Sequence, residues 1–132
     1  MRQIDLEAGA AKPLGIGYDG IVVTNYLHRP LLPVISGALA PGGVLIYETF
    51  AGGNERFGRP HNPDFLLRPG ELLDAFATLT VVAFEQGEVS APRPAVIQRI
   101  AAVAGPLGRL PEPNGVGHGS VTGVTLRHAE HR

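Results

Sequence analysis

The chain has 132 residues, 11 Lys and Arg against 12 Asp and Glu, a formal net charge of -1 and no cysteine. At this length one core is expected, burying roughly two thirds of the unfolded surface; the near-neutral charge and 44% hydrophobic share exclude a wholly disordered chain and a basic surface for polyphosphates. Without cysteine there are no disulfides, thiolate metal sites, iron-sulfur clusters or cysteine nucleophile, which fits a cytoplasmic location. Asp5 and Glu7 interrupt the first residues and no apolar run reaches about 18 residues, so neither a signal peptide nor a membrane span is expected.

In chain order, Asp19 to Tyr26 (DGIVVTNY) opens on a turn signal and continues as a β-branched run without polar alternation, the pattern of a strand covered on both faces. Pro30 to Ala40 sets Leu31, Leu32, Ile35, Ala38 and Leu39 at mostly helical spacing, and Pro41-Gly42-Gly43 stops the pattern, which predicts a helix of about three turns. Gly43 to Phe50 is a second apolar run. Strand, helix and strand in such quick succession are most economically joined by a right-handed crossover between parallel strands. Residues 51–68 follow as a polar stretch carrying Arg56, Arg59 and His61, long enough for a functional loop or lid.

Pro69 and Glu71 suit the start of a helix, and Leu72, Leu73, Ala75 and Phe76 give it an apolar stripe, so a second helix is predicted at Pro69 to Ala77. Leu79 to Glu88 reads as a strand. Ala95 to Ala104 fits a strand or a short helix, because Val96, Ile97, Ile100, Ala101 and Ala104 also match a period of 3.6. Glycine and proline dominate after Gly105, so residues 1–105 read as one domain and 106–132 as a Gly/Pro-rich tail with one weak alternating run, Val121 to Leu126. His118, His128 and His131 lie in that tail without a fourth ligand or a scaffold, and no metal site is expected.

The order of these elements goes with specific wording: Asp5-Leu6-Glu7, Tyr18-Asp19-Gly20-Ile21-Val22-Val23, Asn25-Tyr26-Leu27-His28-Arg29-Pro30, the run LAPGGVLIYETF from Leu39 to Phe50, and NPDFLL from Asn62 to Leu67. Across residues 3–104 this resembles the C-terminal half of class I S-adenosylmethionine-dependent methyltransferases, in their tellurite-resistance-like branch. The resemblance implies an α/β fold: a partial Rossmann-like mixed sheet with parallel core strands and an antiparallel C-terminal strand pair. It also implies S-adenosylmethionine as cofactor, a small-molecule or oxyanion substrate, and no nucleic-acid or membrane partner.

By motif position the resemblance assigns Asp5 to the adenine amino group of the cofactor, with Leu6 beside it. Asn25 and Tyr26 fall at the carboxyl end of the first predicted strand, where open α/β sheets bind ligands, and join the cofactor-binding candidates. Methyl transfer from a sulfonium needs little acid-base chemistry; the protein supplies in-line alignment and a shaped polar pocket. Tyr26, His28, Arg29 and Glu48 are the catalytic candidates for that pocket. His28 could act as a general base or be satisfied by a backbone carbonyl. Arg29 could simply fix the start of the helix, and Glu48 could face the crevice or solvent. Arg56, Arg59 and His61 would suit an anionic substrate or merely solubilise their loop.

The glycine-rich turn and the following acidic residue that hold the cofactor in this fold are absent from these 132 residues. Gly15-Ile16-Gly17 neither follows a strand nor precedes a helix and reads as a turn. Activity is therefore open between an enzyme completed by another chain or a longer gene product and a catalytically inactive remnant serving as an oligomeric binding module. Without its usual neighbour, the strand Ile21 to Tyr26 would present an unpaired apolar edge. Either a homodimer pairing through this strand or the tail segment Val121 to Leu126 folding back as a substitute strand would satisfy it.

Overall fold

The computed structural model describes residues 2–5, 14–106 and 123–127. Six strands, β1 (Arg2–Asp5), β2 (Tyr18–Thr24), β3 (Leu39–Phe50), β4 (Thr80–Val89), β5 (Ala95–Val103) and β6 (Gly123–Arg127), form one sheet in the order β1-β6-β2-β3-β5-β4. The first four in that order run parallel, whereas β5 is antiparallel to both β3 and β4. Parallel core strands and an antiparallel C-terminal pair are thus both present. No helix among the described residues is long and apolar enough to cross a membrane.

Two helices, α1 (Leu32–Ala38) and α2 (Glu71–Ala75), are shorter than their sequence patterns. A single 3-10 turn over Arg29–Leu31 leads into α1, and prolines at positions 30 and 33 occupy first-turn sites that need no N–H donor. The helix stops at Ala38 because Leu39 is already extended, pairing with Tyr18. β3 therefore starts four residues before the expected Gly43. It stays in the sheet across Pro41-Gly42-Gly43 through Gly42 N–H to Ala104 O at 2.7 Å and Ala104 N–H to Gly43 O at 2.8 Å. Gly43 must be glycine: a Cβ there would lie 2.8 Å from the Tyr18 carbonyl oxygen and 2.9 Å from that of Ala40.

The segment open to two readings, Ala95 to Ala104, is a strand. Its register against β3 sets Ala102 opposite Leu45 and Ile100 opposite Tyr47, so period two buries Ile100, Ala102 and Gln98 together. Helical spacing was a by-product of alanines and β-branched residues on both faces.

The core lies on one side of the sheet. Ile21 and Val23 of β2, Leu45 and Tyr47 of β3 and Ile100 of β5 pack with Leu32 and Ile35 of α1, Leu72 of α2, Leu67 and Phe76. The opposite side corrects an expectation: among the described residues, nothing covers the second face of β2. Val22 is only half-buried, and its neighbours Val44 and Ile46 are 37% and 48% exposed.

The free edge of β2 is taken by the tail. β6 lies parallel to it, with Ile21 opposite Val124 and Val23 opposite Leu126, and β1 pairs on the far side of β6. Of the two ways to satisfy that edge, the chain uses its own C-terminal segment, so β2 has a partner on each side. Leu6, His118, His128 and His131 lie outside the described residues, and for Asp5 only the strand backbone is described.

Candidate functional site

At the carboxyl end of β2 the chain turns sharply. Asn25 has φ of 53°, the one left-handed non-glycine residue among those described, and its N–H donates to the Glu48 carbonyl of the adjacent strand at 2.9 Å. Asparagine tolerates this region because its short polar side chain compensates locally; a β-branched residue would be strained there. Such a corner, at the carboxyl ends of two codirectional strands, is where an open α/β sheet presents backbone and side chains to a ligand.

The corner is held from below. Tyr47, fully buried in β3, donates its hydroxyl to the Tyr26 carbonyl oxygen at 2.7 Å. Burial pushes the Tyr47 phenol far above its ordinary pKa, so it stays a neutral donor. Tyr26 packs half-buried against the core cluster, and burial raises its phenol as well. Leu27 plugs into the core, which leaves Asn25 and His28 exposed on either side of it.

Arg29, a pocket candidate that could equally fix the start of the helix, is engaged in contacts within the fold. Its Nε and Nη2 form a bidentate pair with Glu71 at 2.7 and 2.9 Å, while Nη2 also donates to Leu66 O at 2.9 Å and Nη1 to Asp64 O at 3.1 Å. The guanidinium therefore ties the start of α1 to the end of the long loop and to α2. The hydrogen bond from Arg29 holds the Glu71 carboxyl below its usual range despite burial, and the same bond raises Arg29. A shallow depression of about 270 Å³ lined by Arg68, Pro69, Glu71, Asp74 and Ala75 lies beside this pair. Of the charged groups lining it, the Glu71 carboxylate is already committed to Arg29.

Glu48 points away from this group. It alternates with Tyr47 and so lies on the uncovered face, where it pairs with Arg99 at 3.2 Å; Arg99 also reaches Glu85 at 2.6 Å. The structure thus brings Asn25, Tyr26, His28 and Arg29 together on one turn, and joins Glu48 to them only through its backbone carbonyl.

The long loop is pinned to the sheet. Its two ends pair at Ala51 and Leu67, with Gly52 N–H to Leu67 O and Leu67 N–H to Phe50 O both at 3.0 Å. Asn54, 2% exposed, accepts from Val96 N–H at 3.0 Å and donates to Arg59 O at 3.2 Å. Arg56 pairs with Glu88 at 3.4 Å and stacks over Phe57 at 4.7 Å, while Arg59 and His61 are exposed. Glu55 is held below the usual carboxylate range by backbone hydrogen bonds, from its own N–H and from Gly53. Sequence reasoning passed over Tyr47, Asn54 and Glu71 as supports. Glu71 drew notice only as a helix-start charge, and nothing local signals a partner 42 residues away.

Gly15 and Gly17 do not form a cofactor cradle. They precede β2, Gly15 N–H donates to the Tyr18 hydroxyl at 3.2 Å, and that hydroxyl lies 3.0 Å from where a Gly15 Cβ would sit. This turn serves the fold.

No family model matches the sequence, and no curated protein matches it. Among solved structures, TehB from Haemophilus influenzae superposes with a TM-score of 0.55 at 15% identity, over 77% of this chain and 40% of that one. A protein described as an O-methyltransferase from Nostoc punctiforme aligns at 21% identity over 69% of this chain and 33% of that one; its TM-score of 0.45 carries no weight for the fold. The chain spans less than half the length of either. The likeness to TehB shows the fold alone, a Rossmann-like mixed sheet.

Proposed function

We propose that this chain supplies the substrate-side part of an S-adenosylmethionine-dependent methyltransferase site, acting on a small molecule or oxyanion. The observation that carries the reading is the Asn25-Tyr26 corner: a strained, exposed turn at the carboxyl ends of parallel β2 and β3, clamped by the Tyr47 hydroxyl and the Glu48 carbonyl. Strain maintained by two dedicated hydrogen bonds is characteristic of positions that face a ligand.

The described residues fit the cofactor in part. Asn25 and Tyr26 could line the crevice beside it, and His28, exposed one residue beyond Leu27, could face an acceptor or take its proton. A nucleotide cradle is missing from the described residues, since the Gly15-Ile16-Gly17 turn leads into a strand and Gly15 packs against the Tyr18 hydroxyl. In this reading the chain orients and walls the site. When bound, the cofactor would supply an activated methyl group.

Titration with S-adenosylhomocysteine, followed by backbone amide shifts, tests the reading. Saturable shifts centred on Asn25, Tyr26 and His28 are expected; no shifts at millimolar ligand would overturn it. The second reading, an inactive binding module, is favoured by the packing of Gly15 against the Tyr18 hydroxyl, which makes that turn part of the fold. Binding without methyl release from the radiolabelled donor, across a panel of thiols and oxyanions, would select it.

A further inference from the structure

The sheet face opposite α1 and α2 is built of apolar and charged rows. Among the described residues both helices pack on the other side, and Ile46 at the centre of this face is 48% exposed. The register across β2, β3, β5 and β4 sorts this face into rows. One row runs Val22, Ile46, Ala101, Ala83; the row before it contains Val44 and Val103; the row after it contains Glu48, Arg99 and Glu85.

These rows are self-complementary under one symmetry operation. A two-fold axis parallel to the strands, between β3 and β5, lays β3 of one copy over β5 of the other and keeps every row at its own height. Ile46 then meets Ala101 of the second copy, Val22 meets Ala83, and Val44 meets Val103. In each apolar pair a side chain faces an equal or smaller one, and in the charged row Glu48 meets Arg99. Two sheets stacked in this way sit about 10 Å apart with their strands nearly aligned, the ordinary geometry of a sheet sandwich. An isologous contact needs a patch that complements itself, and this one does so in both size and charge.

We propose that a second copy of this chain packs on this face, forming a two-fold, sheet-on-sheet homodimer. The contact leaves both edges of β2 paired as they are and does not involve the Asn25-Tyr26 corner.

The test is the mass of the full chain by size-exclusion chromatography with light scattering, up to high micromolar concentration. Twice 13.9 kDa is expected for the wild type. Ile46→Lys, a change at an exposed position, is expected to give the monomer mass with an unchanged circular dichroism spectrum. Glu48→Arg and Arg99→Glu form a second and independent pair: each alone places like charges across the axis and is expected to be monomeric, whereas equimolar mixing restores a dimer containing one of each. A wild type that stays monomeric overturns the proposal, as does a dimer that survives all three substitutions. Failure of the mixed pair to associate overturns the assigned axis and with it the proposal.

Discussion

The hydroxyl of Tyr47 and the carbonyl oxygen of Tyr26, 21 residues apart in the chain, meet at 2.7 Å and join the floor of the core to the rim of the crevice. Their relationship turns a buried aromatic into a support for an exposed turn. Tyr47→Phe keeps the ring against Phe76 and removes only this donor to the Tyr26 carbonyl. A loss of about 1–2 kcal/mol is expected in denaturant unfolding, together with faster amide exchange at Asn25 to Leu27. Unchanged exchange there would show that the bond does not hold the corner.

Asn25 offers a conformational test. Asn25→Gly, which adopts positive φ freely, is expected to fall within about 1 kcal/mol of the wild type, whereas Asn25→Val should cost about 1–3 kcal/mol. Thermal unfolding of the two variants side by side reads the difference, and equal melting temperatures would remove the case for strain.

Arg29 and Glu71 make the most connected ion pair of the molecule's described part. Removing the cation as Arg29→Met leaves a buried carboxylate and two unpaired loop carbonyls, and about 2–4 kcal/mol of stability should go with it. Arg29→Lys should recover little, since an ammonium cannot reproduce the bidentate fork. Limited proteolysis within residues 51–68 should accelerate in both variants.

The same pair sets an acid limit. Glu71 is depressed in the folded chain below its ordinary value of 4.5, chiefly by the Arg29 hydrogen bond. Its contribution is therefore complete above the unfolded carboxylate pKa and is lost as pH falls through the lower folded one. Stability against urea should decline below about pH 4.5, and the decline should be shallower in Glu71→Gln.

Gln98, fully buried in β5, accepts from Leu72 N–H at 3.1 Å and donates to Arg68 O at 2.7 Å. Gln98→Leu fills the space but strands both backbone groups, and a cost of about 2–3 kcal/mol is expected in equilibrium unfolding. A neutral result would mean that α2 is not held to the sheet by this side chain.

The parallel pair β2 and β3 was legible because a continuous β-branched run and an apolar run after Pro-Gly-Gly leave few alternatives. The tail strand was legible only as one of two options: its own pattern is weak, and the bare edge of Ile21 to Tyr26 demanded a partner that a second copy could equally have supplied. β5 was ambiguous since Val96, Ile97, Ile100 and Ala101 satisfy two periods at once, and only pairing with β3 decides between them. The exposure of one sheet face was illegible, because β-branched residues on both sides of β2 look the same whether or not something covers them. At the site, Asn25 and Tyr26 stood out by position, whereas the use of Arg29 depends on Glu71 and on loop carbonyls that no local spacing encodes.

The placement of β6 between β1 and β2 also has a mechanical side. β1 and β6, the first and last of the described strands, lie next to each other and point the same way. Tension applied between the two ends pulls them along their length in opposite senses, so their shared ladder is loaded in shear rather than peeled open one bond at a time. The seam at which the chain closes on itself is thus the geometry in which hydrogen bonds resist stretching together.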